Sequence, residues 1–305
     1  MLNDDKSGGG RAAHDASYFR GMVLVMLSGG FFSLAGILIR SIDTATNWQI
    51  LLVRSGALAL TLFCVLVARH GPRVVEEFRT AGATAVVGGL CLGAGFTGFV
   101  FSITSTTVAN TVFILGASPF VTALLAWLIL GERVRGATWI AMAAALTGVA
   151  VMVADGVRAG TLFGTLMALV AALGFAGFVV ALRRGRHANM LPAVCLAGLF
   201  SALAAGAMAE SYAYSLHDFV ICAAMGVVQI GVGLILFTLG SRHVPAVELA
   251  LLSLTEVILA PLLVWIGMGE VPSALTLVGG AVVLTAVTGQ ALSGMRRKFP
   301  PIGAV

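Results

Sequence analysis

Ten apolar stretches of 17 to 23 residues follow one another along the 305-residue chain and constrain its fold more than any motif does. They run over Met22–Ile39, Trp48–Ala68, Ala83–Ile103, Val108–Leu130, Thr138–Ala154, Thr161–Leu182, Leu191–Ala209, Phe219–Leu239, Val247–Met268 and Ala274–Leu292. At about 1.5 Å of rise per residue, such stretches match a hydrocarbon core about 30 Å thick. They are continuous runs of Leu, Ala, Val and Gly rather than short alternating segments, so helices are expected and a membrane barrel is not.

Composition agrees. Hydrophobic residues make up 59% and charged residues 10% of the chain, with a mean hydropathy of +1.03. A soluble globule of this length has more polar surface than that to offer water. The net charge of +5 does not indicate nucleic acid, because the basic residues lie at the ends of apolar runs instead of forming one stripe. The expected partners are the lipid bilayer and a small-molecule substrate, with no nucleic acid and with a homodimer as the further partner state considered.

The basic residues also orient the chain. If the N-terminus is cytoplasmic, alternate sides of ten spans receive fifteen and two Lys or Arg, the two being Arg40 and Arg158, while Arg54 falls inside the second span. By the positive-inside rule both termini are then cytoplasmic. Residues 1–20, with Asp4, Asp5, Lys6, Gly8–Gly10 and Arg11, read as a flexible polar tail rather than a cleaved signal peptide. Residues 294–305 read as a short basic tail, and no soluble domain is expected.

Cys64, Cys91, Cys195 and Cys222 all fall within spans, where cysteine acts as a small apolar residue, so no disulfide is expected. No cluster of His and Cys suggests a metal, and no cofactor is expected.

An internal repeat organises the ten stretches. At an offset of 138 residues, Leu124-Leu125, Trp127, Gly131-Glu132, Thr138, Ala143, Leu146-Thr147 and Val149 fall on Leu262-Leu263, Trp265, Gly269-Glu270, Thr276, Ala281, Leu284-Thr285 and Val287, ten identities in 26 gapless positions. Apolar composition alone does not give a shared Trp-x-x-x-Gly-Glu at one place in two spans. The expected units are 21–155 and 156–293, each of five helices. An odd number per unit sets the second upside down, so the expected fold class is an all-α polytopic membrane protein of ten transmembrane helices in two inverted five-helix repeats. Inverted repeats suit alternating access about a site near the midplane.

On these residues the chain resembles the EamA family of the drug/metabolite transporter superfamily. The features that carry the resemblance are Arg54 early in the second span, Trp127 through Gly131-Glu132, Glu256 within Leu254–Val257, and Trp265 through Gly269-Glu270, over about residues 20 to 293. The chain departs from the family where Pro often follows the central Glu of the ninth helix; here Val257 follows, and Pro261 stands further on. The resemblance implies a bacterial inner-membrane carrier of amino acids, related metabolites, nucleoside-like compounds or drugs, with export as the expected direction.

Three ionisable residues lie inside spans, Arg54, Glu248 and Glu256. Each costs about 2.5–3.5 kcal/mol at a helix centre on insertion scales, so each is expected to face protein or water. Glu256, near the middle of the ninth span, is the first functional candidate, to bind a substrate amine or carry a coupling proton; the alternative is a structural partner for Arg or freed backbone. Arg54 is expected to pair with Glu256 or to snorkel to the interface. Glu248 is a gate or an interfacial anchor. A carboxylate without a matched cation favours neutral or cationic solutes over anions.

The resemblance further implies that the third, fourth and eighth spans line a cavity, with Phe96, Thr97, Phe101, Asn110, Ser118, Pro119 and Gln229 as candidates and helix packing as the alternative for each. The repeat sets Asn110 and Ser118 opposite Glu248 and Glu256. The two Gly-Glu endings read as helix stops. The competing classes are an intramembrane enzyme, which needs a nucleophile with its base, paired aspartates or a metal motif in the spans, and a non-transporting scaffold. No such catalytic set and no P-loop is visible in the sequence, so no enzyme activity is expected.

Overall fold

A computed structural model describes residues 6–185, 189–241, 243–244 and 246–295. The basic tail with Arg296, Arg297 and Lys298, together with Arg186 and Arg242, lies outside the described residues. Of the described residues 87% are helical, and none lies in a strand.

Twelve α-helices follow in order: α1 Lys6–Arg40, α2 Asn47–His70, α3 Val74–Ser105, α4 Val108–Gly116, α5 Ser118–Leu130, α6 Gly136–Arg158, α7 Leu162–Arg184, α8 Leu191–Met208, α9 Leu216–Ala224, α10 Gly233–Ser241, α11 Ala246–Met268 and α12 Ala274–Met295. Among the described residues, nine stretches are long and apolar enough to cross a membrane. One of them, Asn47–Ser105, is 59 residues long, far more than one crossing needs. It holds α2 and α3, divided at Gly71 (φ 55°) and a short 3₁₀ turn over Gly71–Arg73. Glycine is at home in this positive-φ backbone, which strains other residues.

Several local expectations change. Helix α1 extends back to Lys6, so residues 6–20, read as a flexible tail, are helical and continue the apolar span. The fourth stretch is two helices. Ala117 separates them, and Pro119, without an N–H to give, stands in the first turn of α5, where none is needed. Pro261, by contrast, sits within an unbroken α11. Between α9 and α10 the chain winds as a π-helix over Met225–Val232. Gly131 (φ 68°) and Gly269 (φ 70°) close α5 and α11 in the left-handed conformation that the two Gly-Glu endings lead one to expect.

The main helix pairings are α3 with α7 and α8, α2 with α8, α6 with α12, α1 with α11 and α10, and α7 with α4 and α5. Small residues make them close. A Cβ at Gly174 of α7 would stand 2.5 Å from the Cys91 carbonyl oxygen and 2.6 Å from the Gly95 amide nitrogen of α3. In hydrocarbon, where burial of apolar surface gives helices no reason to associate, backbone approach of this kind supplies the van der Waals contact that holds them. Large side chains such as Ile140, Leu146, Leu216 and Ile266 point outward, as lipid-facing residues do.

Candidate functional site

Arg54 lies inside the bundle. The α2 capping box, in which Thr46 Oγ1 accepts from the Gln49 amide while Gln49 Oε1 accepts from the Thr46 amide, fixes where the helix begins. Two turns later Arg54 falls on the buried face with Ile50, Leu51, Ser55 and Leu58. It is 3% exposed, so of the two alternatives left open by the sequence, snorkelling to the interface is not the one seen. Close packing with Gly226 on the π segment, where a Cβ would stand 2.2 Å from the Arg54 carbonyl oxygen, holds α2 against that segment.

The guanidinium carbon of Arg54 lies over the rings of Phe96 and Phe99, 5.3 and 5.4 Å from their centroids. Its Nε and Nη1 are buried and have no hydrogen-bond partner among the described residues. The anticipated pairing with Glu256 is not formed: no ion pair to Arg54 occurs among the described residues.

Glu256 is half-buried on α11 beside α1, whose Gly29 approaches its backbone. Val257, Ala260 and Val264 form the buried face of α11, and Ile258, Leu262, Trp265 and Ile266 the exposed one. At about 100° per residue, Glu256 flanks the buried face and points away from the lipid-facing stripe. Glu248, near the start of α11, accepts a hydrogen bond from the Tyr18 hydroxyl of α1. That contact fits the anchor reading better than a free gate.

The other candidates divide. Phe96 packs on Arg54, and Phe101 stacks edge-on with Trp48 at 4.7 Å between centroids. Asn110 donates through Nδ2 to Thr165 Oγ1 at 2.9 Å and to Thr106 Oγ1 at 3.2 Å, leaving its buried Oδ1 without a partner. Gln229 donates to the Phe32 carbonyl at 3.3 Å, and its Oε1 is likewise buried and unpartnered. Thr97 spends its hydroxyl on the Gly93 carbonyl of its own helix. Ser118 is buried at the α4–α5 break, but Pro119 is exposed and so is not an interior lining residue; it turns outward from the break that it helps to make.

Sequence reasoning missed Phe99, Trp48 and Thr165. Only the spacing of Phe99, one helical turn from Phe96, offered a signal. It also missed Asp218, a fully buried carboxylate that collects the α1–α2 connection. Asp218 accepts from the amides of Asp43, Thr44 and Ala45, each at 3.0 Å, and from the Thr44 hydroxyl at 2.6 Å. Asp43, His217 and Asp218 come close enough together to suggest a metal. The donors already aimed at both Asp218 oxygens present positive ends where a cation would have to sit, so the cluster reads as a loop clasp. A surface hollow of about 560 Å³ among Pro72, Arg73, Val75, Glu76, Arg79 and Thr80 involves none of the candidates.

Residues 19–154 match the model of the EamA-like transporter family. One solved crystal structure superposes with a TM-score of 0.62 over 93% of this chain and 99% of its own, at 18% sequence identity, a likeness of fold. No curated protein matches the sequence.

Proposed function

We propose that the whole chain is a secondary carrier of small organic metabolites, a reading supported by the match of residues 19–154 to the EamA-like transporter family of the drug/metabolite transporter superfamily. It exports them across the bacterial inner membrane by alternating access. In this reading the chain crosses ten times, with both termini cytoplasmic, and units 21–155 and 156–293 are inverted copies.

The observation that carries the reading is the pattern of helix pairing. Exchanging α1 with α7, α2 with α8, α3 with α9–α10, α4–α5 with α11, and α6 with α12 turns α3·α7 into α10·α1 and α1·α11 into α7·α4–α5. The same exchange returns α2·α8 and α6·α12 to themselves. All of these pairs occur. Such reciprocity is what two halves need in order to trade shapes about a central site.

Glu256, off the lipid face at mid-span, is the residue that binds a substrate amine or carries a coupling proton. Arg54, Phe96, Asn110 and Gln229 contribute to the substrate path, and Glu248 steadies the end of α11.

Counterflow tests the reading. Proteoliposomes holding the purified chain are loaded with a mixed metabolite extract, and exchange is followed by mass spectrometry. Saturable movement of a few solutes is expected, with Glu256→Gln losing either that movement or its dependence on pH. Folded wild-type protein that moves none of the amino acids, amines, nucleosides or sugars would count against a carrier and for an intramembrane enzyme or scaffold.

A further inference from the structure

A buried guanidinium is ordinarily paired, because an uncompensated charge in a low-dielectric interior is costly. Arg54 breaks this rule. Its side chain is 3% exposed, two of its three nitrogens are buried without a partner, and no carboxylate joins it among the described residues. Phe96 and Phe99 provide ring faces, which attract a cation but cannot accept N–H hydrogen bonds as an oxygen does. The arrangement therefore favours the charge from the sides and leaves its N–H donors without an acceptor.

What completes a guanidinium whose donors lack an acceptor is a planar oxyanion, bound by two parallel N–H···O bonds. The local charge limits which one. Among the residues whose burial is described, Arg54 is the one buried basic side chain, so the site offers a single positive charge. That matches a carboxylate monoanion and falls short of a phosphate dianion. The flanking Phe96 and Phe99, with Trp48 stacked on Phe101 further along the same helix, suit an apolar body attached to that carboxylate.

We propose that the transported solute is a small organic carboxylate with an apolar body, and that Arg54 is the residue that recognises its carboxylate. The proposal rests on the carrier reading above and narrows it. It also reverses the preference for neutral or cationic solutes drawn from Glu256 alone: the unmatched acid was legible in the sequence, whereas the unmatched base becomes visible only when Arg54 is seen to be buried.

The test uses the full-length chain, with proteinogenic amino acids and short- and medium-chain monocarboxylates as probes, each beside its primary amide. Two readouts are taken: exchange in proteoliposomes, and the shift in melting temperature of the purified protein. Wild type should prefer some acids to their amides by about 10- to 100-fold, the worth of a charge-assisted pair. Arg54→Gln should bring that preference close to one. Arg54→Lys, which keeps the charge but not the fork, should retain part of it.

Equal handling of acid and amide by wild type overturns the assignment, as does a preference that survives in Arg54→Gln. If amines, nucleosides or sugars exchange in the mixed-extract counterflow and no acid does in either assay, the carrier reading stands and the carboxylate class falls. If acids raise the melting temperature of wild type but not of Arg54→Gln, and nothing crosses, the carboxylate site stands and the carrier reading falls. Should Arg54→Gln fail to fold, the wild-type acid and amide pairs together with Arg54→Lys decide the matter.

Discussion

Arg40 at the end of α1 bridges Glu270, just past the end of α11, at 2.8 Å. The same Glu270 accepts from the Val108 amide at the start of α4, at 2.6 Å, while Arg40 also donates to the Thr106 carbonyl at 2.9 Å. One ion pair thus ties three helix ends together. Its repeat counterpart, Arg183 with Glu132, is also 2.8 Å long but sits in the open, with side chains about half exposed.

Unequal burial predicts unequal cost. Glu270→Gln should destabilise the purified protein by about 1–3 kcal/mol, since it weakens charge-assisted bonds to partly buried donors. Glu132→Gln, at a solvated pair, should cost about 0–1 kcal/mol. Melting curves of the two variants under one condition check the order; equal losses would mean that the two ends are energetically alike.

At Glu256 the expectation concerns pH. If the carboxylate carries the coupling proton, wild-type exchange depends on the pH gradient and Glu256→Gln removes that dependence, leaving a flat profile. If it binds a substrate amine, the variant loses amine-bearing solutes at every pH. Flux measured with and without a gradient separates the two.

Packing at the α3–α7 contact predicts a contrast between two glycines. Gly174→Ala sets a methyl 2.5 Å from a backbone oxygen, and overpacking against backbone should cost about 1–3 kcal/mol. Gly30→Ala meets nothing within 4 Å and, within a helix, should stabilise by about 0.5–1 kcal/mol. Folded yield and melting temperature of the pair test both signs.

The Asp218 clasp predicts a local effect. Asp218→Asn turns an all-acceptor group into one that presents an amide to facing N–H groups, so about 1–3 kcal/mol is lost. Hydrogen exchange should quicken first at the Asp43, Thr44 and Ala45 amides. Uniform quickening across the protein would mean that Asp218 supports the whole bundle.

Much of this architecture was legible in the sequence, because span length and apolarity answer directly to bilayer thickness. The repeated Gly-Glu endings correctly located the left-handed stops at Gly131 and Gly269, for only glycine adopts that backbone without strain. What escaped depends on azimuth and on distant neighbours. Hydropathy marks Arg54 as an anomaly but cannot say whether it turns toward the bundle or the interface. Asn110 is visible as a polar residue in an apolar span, yet its partner Thr165 lies 55 positions away. The break at Ala117 had its sign in Pro119, whereas Pro261 stands inside an unbroken α11, for which the structure offers no reason.

The π-wound stretch between α9 and α10 holds a surplus residue for the turns that it makes. A surplus of this kind can migrate along a helix like a ruck along a carpet: each side chain it passes swings round the axis by about 100°, while the helix on either side stays wound. Gln229 lies within the ruck and Gly226 lies against the backbone of Arg54. A single step of migration would therefore re-aim Gln229 and loosen the wall behind Arg54 without moving either end of the helix.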